Sequence, residues 1–479
     1  MKLCEIIKTI PDATIYGDRE VEISHITNNS GKCVEGSLFV AVRGFQTDGH
    51  KYIKSAVQNG ASAILCEEYD ESTDAVQVVV ENSRISESLV ASEFYGNPSK
   101  SFRLVGVTGT NGKTTVTYLV KSILEYANLK VGLIGTNQNM IGEEVIETSR
   151  TTPDSIELQS IFARMRDKNV DVCVMEVSSH ALELGRVYGC TYCVGAFTNL
   201  TQDHLDFHKT MDNYANAKFK LMGISEKSVI NADDSYGLEM VKKCPCECLS
   251  YSIKDENSEL YAKNIEMHSD CVAFDLENIS YKLMIPGEFS VYNALCAIGI
   301  AKALGIDESV ISKGLEKATG VKGRAEVVPT GRDYTVIIDY AHTPDGIENI
   351  LNAVRGFSKG RVVIVFGCGG DRDNTKRPIM GKIAGKLADF CVVTSDNPRT
   401  EDPMKIISMV ENGVKESGGE YVVIESRRDA IKYALDNAKK DDCIILAGKG
   451  HETYQILNSG TIHFDEREVV REILFPDAK

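Results

Sequence analysis

The segment Gly106-Val107-Thr108-Gly109-Thr110-Asn111-Gly112-Lys113-Thr114-Thr115 joins an apolar run, Arg103–Val107, to a helix-forming run, Thr115–Tyr126. Glycines at Gly109 and Gly112 let backbone N–H groups approach an anion closely, and the helix behind them turns its positive end the same way. Lys113 can reach the terminal phosphates of a nucleotide, and the Thr114 hydroxyl can ligate Mg²⁺. The spacing departs from the usual phosphate-loop rule, because Val107 holds the first glycine position and Gly106 lies one residue early. A strand, a phosphate loop and a helix in that order predict an α/β domain that binds a nucleotide. They do not say what the nucleotide is for.

Working outward, short apolar runs at Val131–Ile134, Val172–Val177 and Val194–Thr198 suit strands buried on both faces of a mainly parallel sheet. Further on, strand-like runs at 335–339, 361–366, 390–394, 421–424 and 443–447 alternate with helical runs such as 344–354 and 404–414. That alternation predicts a Rossmann-like doubly wound domain. Before the loop, short strands (37–42, 62–66, 76–80) mix with helical stretches (51–59, 85–95) and end at the breaker Gly96-Asn97-Pro98-Ser99. The expected organisation is three α/β domains: residues 1–99, a central phosphate-loop ATPase domain over 100–321, and a Rossmann-like domain over 322–479.

Bulk properties narrow the function. The chain has 479 residues and a formal net charge of −16. An acidic chain is poorly suited to a nucleic-acid backbone, though a few convergent cations can still hold a small anion. No apolar run approaches the ~20 residues that span a bilayer, and residues 1–11 lack the features of a signal peptide. The 14 cysteines are scattered. Cys244, Cys246 and Cys248 form a C-x-C-x-C run without a zinc-like partner pair, and read as free thiols in a lysine-flanked loop. A chain of this length needs no disulfide staples, so the expected compartment is the reducing cytoplasm.

Two clusters follow predicted strands. Glu176 ends one, in Val174-Met175-Glu176-Val177-Ser178-Ser179-His180. Another leads to Asn199, then Asp203, His204, Asp206 and His208, four ionisable side chains within six residues. Ligands gather at the carboxyl ends of parallel strands, which places Glu176 near the phosphates. A hard cation such as Mg²⁺ wants oxygen ligands of this kind. By periodicity alone Lys218 is one more lysine on a helix.

These separated motifs resemble the Mur ligase family over essentially the whole chain: Thr108–Thr115, Glu176–His180, Asn199–Asp206, Lys218, Tyr292-Asn293-Ala294, Gly323-Arg324 and Asp339-Tyr340-Ala341-His342-Thr343-Pro344-Asp345. The resemblance implies an ADP-forming ligase. It would transfer the γ-phosphoryl of ATP to a carboxylate, and the amine of an amino acid would attack the acyl phosphate. It implies that Gly109, Thr110, Asn111, Gly112, Lys113, Thr114 and Thr115 hold ATP with Asn293, Arg324, Asp339 and His342. Thr114 and Glu176 would bind one Mg²⁺ and His204 a second. Lys218 would carry a CO₂-derived carbamate that supports the second ion.

The N-terminal block resembles the UDP-sugar domain of the branch that adds the third amino acid of the cell-wall peptide. Ser30, Thr47, Asp48 and Gly49 would contact UDP-MurNAc, and Thr151, Thr152, Ser178 and Arg186 its L-Ala-D-Glu. Where relatives read Asp-Ser-Arg, this chain has Asn29-Ser30-Gly31. Asp396-Asn397-Pro398-Arg399 matches the signature for meso-diaminopimelate. Arg399 and Arg372 would pair with the distal carboxylate, and Glu452, near Gly448, with the distal ammonium; an arginine fork suits a carboxylate that lysine lacks. The resemblance further implies a monomer whose C-terminal domain closes about the linker Ala318–Gly323. The alternatives are the same chemistry with L-lysine, a folylpolyglutamate synthetase, which lacks such an N-terminal block, and a non-catalytic nucleotide switch.

Overall fold

The structure is a computed structural model that describes residues 1–44, 47–146, 150–268, 270–318 and 320–476. Among the described residues three large sheets follow one another along the chain, and a two-stranded one, Tyr454–Leu457 with Gly460–His463, makes a fourth. The first has five strands in the order Thr14–Tyr16, Val76–Val79, Ala61–Cys66, Ser37–Val40, His25–Thr27, parallel except at the Thr14–Tyr16 edge. The second has eleven strands, with Arg103–Thr108 between Tyr192–Phe197 and Val172–Glu176. Its middle is parallel; antiparallel strands extend both edges, Asn139–Ile141 with Glu144–Ile146 on one side and Val272–Leu276 with Ile279–Leu283 on the other. The third has six strands, all parallel except Glu326–Val328 at one edge. The mixed α/β architecture with parallel-rich sheets is the one expected from the sequence.

The central sheet explains where the site lies. Its parallel register sets Val107 beside both Glu176 and Ala196. The carboxyl ends of three apolar strands therefore deliver the phosphate loop, Glu176 and Thr198-Asn199 to one edge. Helix Lys113–Tyr126 leaves that edge and buries Val116, Leu119, Val120, Ile123 and Leu124, each worth about 1.5–3 kcal/mol. It packs on helices Glu288–Ala303 and Glu308–Glu316. A Cβ at Gly314 would come within 2.6 Å of Ile123 Cα, so any side chain there would push the two helices apart.

Several boundaries differ from the sequence expectation. The helix behind the loop starts at Lys113, two residues early, because Gly112 takes φ +85° and turns the chain directly into the first helical turn. Expected helix 51–59 divides into a 3₁₀ turn, Gly49–Tyr52, and a helix, Ile53–Gln58. The C-x-C-x-C run is only partly a loop, since Cys248 lies in strand Glu247–Ser252. The edge strands within 139–146 and 260–283 and the hairpin 454–463 lie outside the runs expected from the sequence. Of the expected hinge Ala318–Gly323, Thr319 lies outside the described residues. No described helix is long and apolar enough to cross a membrane.

Candidate active site

The phosphate loop is held open by its own neighbours. Asn111 N donates to Asn199 Oδ1 at 2.9 Å and Thr110 N to Asn199 O at 2.8 Å, while Thr198 Oγ1 donates to Asn111 O at 2.6 Å. Gly109 (φ +147°) faces Thr198 Oγ1 and Gly112 faces Asn293 Oδ1, so closely that a Cβ at either would collide. Lys113 Nζ folds back onto Gly109 O and Thr110 O, at 2.9 and 2.8 Å. Burial lowers its pKa, and Glu176 opposes the shift.

Glu176 gathers three donors: Thr114 Oγ1 (3.0 Å) and Thr136 N (2.8 Å) on Oε1, and Thr136 Oγ1 (3.0 Å) on Oε2. Thr114 and Glu176 thus offer two hard oxygen donors side by side at the loop, which suits Mg²⁺ with water completing its shell. Thr136 is a functional partner the sequence reasoning missed; nothing in its local pattern marks it.

His204 sits in the left-handed region (φ +52°) with Nε2 3.4 Å from Asp203 Oδ2. It belongs to an aromatic cluster with His180, Phe207, His208 and Tyr214. Burial, then repulsion by His204 and His208, takes the His180 pKa down to about 4. Lys218 is 2% exposed. Its Nζ donates to Gly109 O at 2.7 Å and lies 4.4 Å from the Tyr214 ring centroid. Burial, with Lys113 adding to it, holds its pKa well below the usual lysine value. As they stand, an imidazole and an amine bonded to a carbonyl make no oxygen set for a second cation. Among the described residues no group of three His, Cys, Asp or Glu is placed to hold a metal ion.

A cleft of about 1720 Å³ runs from the loop to the third sheet. Thr110, Asn111, Gly112, Lys113, Thr114, Thr115, Thr151, Glu176, His204 and Asn293 line it from the central sheet's side. Arg324, Asp339, His342, Arg372, Arg399 and Glu452 line it from the other. Arg324 stacks over Tyr340 (4.8 Å), whose ring also meets His342 and His451. Arg324 Nε and His451 Nδ1 are buried without a hydrogen-bond partner. Orphaned donors facing a cleft are what a nucleotide would satisfy. Asp339 instead braces the backbone, accepting from Ala325 N (2.7 Å) and Ala341 N (2.8 Å). Asp345, which the sequence reasoning left without a role, accepts from Asn111 Nδ2 (2.6 Å) and Thr201 Oγ1 (3.0 Å) across the cleft.

On the far wall, Lys449 is completely buried and donates to Glu452 Oε2 (2.8 Å) and Asn397 Oδ1 (3.2 Å). Asn397 Nδ2 also donates to Glu452 Oε2, at 2.9 Å. Asp396 caps this turn by accepting from Asn397 N at 2.6 Å; its other oxygen lies where a Cβ on Gly448 would stand. Arg399 takes φ +54° and donates Nη1 to Gly370 O at 2.7 Å. Asp396, Asn397, Pro398 and Gly448 themselves do not line the cleft; Pro398 lines a separate cavity with Arg427 and Phe464.

The residues expected at the sugar-peptide divide. Thr151 reaches the cleft and touches Thr136 Oγ1 at 3.0 Å. Thr152 bonds Glu176 O, Ser178 N and Arg186 Nη1, so Thr152, Ser178 and Arg186 form one brace beside it. Ser30, Thr47, Asp48 and Gly49 lie on the first sheet's loops, away from the cleft. Asp48 holds His50 through N (3.0 Å) and Nδ1 (2.7 Å).

The chain belongs to the Mur ligase family. It matches the family's catalytic domain over residues 22–95, its middle domain over 107–301 and its glutamate ligase domain over 323–450. Among its relatives is the UDP-N-acetylmuramoyl-L-alanyl-D-glutamate–2,6-diaminopimelate ligase of Clostridium botulinum, 50% identical over 99% of each chain. The protein of that name from Caldanaerobacter subterraneus is 50% identical over the full length of both. A solved structure of a ligase with the same name superposes with a TM-score of 0.72 at 29% identity, covering 100% of this chain and 99% of that one.

Proposed function

We propose that this chain is the ATP-dependent, ADP-forming ligase that adds meso-diaminopimelate to UDP-MurNAc-L-Ala-D-Glu in peptidoglycan synthesis. The observation that carries the reading is one cleft holding the phosphate loop with Glu176 at one end and Arg372, Arg399 and Glu452 at the other. An acyl phosphate formed at the loop is thereby presented to an amine held opposite. The roles of the individual residues belong to the same proposal.

Lys113 and the loop N–H groups hold the ATP phosphates and offset their charge as the substrate carboxylate approaches. Thr114 and Glu176 hold Mg²⁺, which supplies further charge neutralisation between the two anions. His204 and a carbamate on Lys218 serve a second ion. A buried, uncharged amine is the form that reacts with CO₂, and the low pKa of Lys218 favours it. Asn293, Arg324, Asp339 and His342 frame the nucleoside. Arg372 and Arg399 pair with the distal carboxylate of diaminopimelate and Glu452 with its ammonium. Ser30 and Thr47–Gly49 hold the uridine, and the Thr151–Arg186 brace faces the dipeptide. The protein works as a cytoplasmic monomer of three domains, 1–99, 100–321 and 322–479, with small-molecule substrates only.

The test is phosphate release with ATP, Mg²⁺ and UDP-MurNAc-L-Ala-D-Glu, offering meso-diaminopimelate and L-lysine in parallel. Strong preference for diaminopimelate is expected. Equal turnover of lysine would remove the arginine assignment, and no turnover with either would remove the ligase assignment.

A further inference from the structure

The run Cys244-Pro245-Cys246-Glu247-Cys248 takes no part in the cleft. All three thiols are free and partly exposed. Cys244 closes helix Ser235–Lys243, its N–H bonded to Val241 O. Pro245 and Cys246 then bend the chain into strand Glu247–Ser252. The bend matters, because residues two apart in an extended strand stand ~6.6 Å apart at Cα, near the outer limit for a disulfide. Here the bend brings the Cys244 and Cys246 Sγ atoms to 3.7 Å. Two other partly exposed thiols are engaged elsewhere, Cys4 with Glu20 Oε1 and Cys193 with Leu104 O.

We propose that Cys244 and Cys246 are a reversible oxidation site, a dithiol that a hydroperoxide closes to an intrachain disulfide. The Cys244 thiolate attacks a peroxide oxygen, the O–O bond breaks, and a sulfenic acid forms as hydroxide or alkoxide leaves. The Cys246 sulfur then attacks the sulfenic sulfur, the S–S bond forms, and water departs. Two thiols lose two electrons and two protons, and the peroxide is reduced to water, or to water and an alcohol. Cys248 is the bystander, held in strand Glu247–Ser252 beyond the bend; burial raises the thiols of Cys246 and Cys248 alike, and the 3.7 Å contact sets Cys246 as the partner of Cys244. Cys246 touches Ser228 Oγ at 3.0 Å and Met222 O at 3.8 Å. Met222 lies in helix Met211–Gly223, which also carries Lys218. Closing the ring of so short a loop strains it, and strained disulfides are the readily reduced ones.

The experiment treats the full-length protein with hydrogen peroxide, blocks remaining thiols with N-ethylmaleimide and digests with trypsin. Cleavage after Lys243 and Lys254 isolates all three thiols in one peptide, residues 244–254. The expected peptide has lost two hydrogens, carries one maleimide on Cys248, and returns to three maleimides when dithiothreitol precedes blocking. Cys248→Ser keeps the bridge. A bridge that includes Cys248, a peptide that only gains oxygen, or three free thiols after peroxide would overturn the proposal.

Discussion

Lys218 Nζ lies 2.7 Å from the carbonyl oxygen of Gly109, so a helix lysine is tied to the backbone of the phosphate loop. The contact couples Lys218 to the phosphate loop even though its side chain is sealed from the cleft. Replacement by alanine leaves Gly109 O without that donor and removes the amine proposed to accept CO₂. Lys218→Ala is expected to lower phosphate release by about 10²–10³-fold, the scale on which single electrostatic groups act in catalysis. Added bicarbonate should not restore it. Full activity in the variant would end the carbamate role.

Arg399 and Arg372 line the wall that faces the loop. A hydrogen bond to a charged group contributes about 1.5–3 kcal/mol, so Arg399→Ala should raise KM for diaminopimelate about 10- to 100-fold. Turnover of lysine should change little, because lysine has no distal carboxylate for the fork to hold. Steady-state kinetics with both amino acids reads the difference; an equal rise for the two would place Arg399 in a structural role.

Asp345 joins Asn111 and Thr201 to the helix Pro344–Arg355 of the third sheet's domain. Asp345→Ala leaves Asn111 without that partner and loosens the two walls of the cleft. A several-fold higher KM for ATP is expected, together with a larger radius of gyration in solution scattering with an ATP analogue bound. Asp345→Asn, which keeps one acceptor oxygen, should fall between. Unchanged scattering in the alanine variant would contradict the latch.

Glu87, in helix Ser83–Phe94, stands beside Ser155 and Asp154, and its Oε1 accepts from Asn28 Nδ2 at 2.7 Å. Burial raises its carboxyl from 4.5 to about 7. Below pH 4.5 folded and unfolded chains are both protonated there, and the native contact is fully retained. As pH climbs to about 7 the unfolded chain ionises first, so stability falls by about 3 kcal/mol in all, and is level beyond. Glu87→Gln should remove this fall: its apparent melting temperature should match the parent at pH 5 and exceed it at pH 8. Parallel behaviour at both pH values would show that Glu87 does not titrate in this way.

The phosphate loop was legible because its chemistry is local. Glycines, a lysine and a threonine at fixed offsets between a strand and a helix can do little else. Glu176 was legible for a related reason, since a lone carboxylate at the end of a five-residue apolar strand has to sit at the sheet's carboxyl edge. Thr136 and Asp345 were not. Each works through a partner 40 or 234 residues away, and only the parallel register and the facing of two sheets bring them together. The same limit hid the local bonding of Asp339 and Thr152, which have the right chemistry for a ligand and also brace backbone groups of other segments. The antiparallel extensions escaped although Val272–Leu276 and Ile279–Leu283 alternate apolar and polar residues in the manner of one-face-buried strands.

The hydrogen-bonded trio of Lys449, Glu452 and Asn397 carries a consequence for how such a protein can diverge. Each member bonds the other two, and Lys449 is wholly buried while Glu452 reaches the cleft, so loss of the Glu452 carboxylate alone strands the Lys449 charge away from water, at about 3–5 kcal/mol. A lineage shifting to a different amino acid would cross a deep fitness valley by that route. Arg399 and Arg372, standing at the open wall, can be exchanged one step at a time. Diversification of substrate choice on this scaffold should therefore accumulate at the arginines while the trio stays fixed.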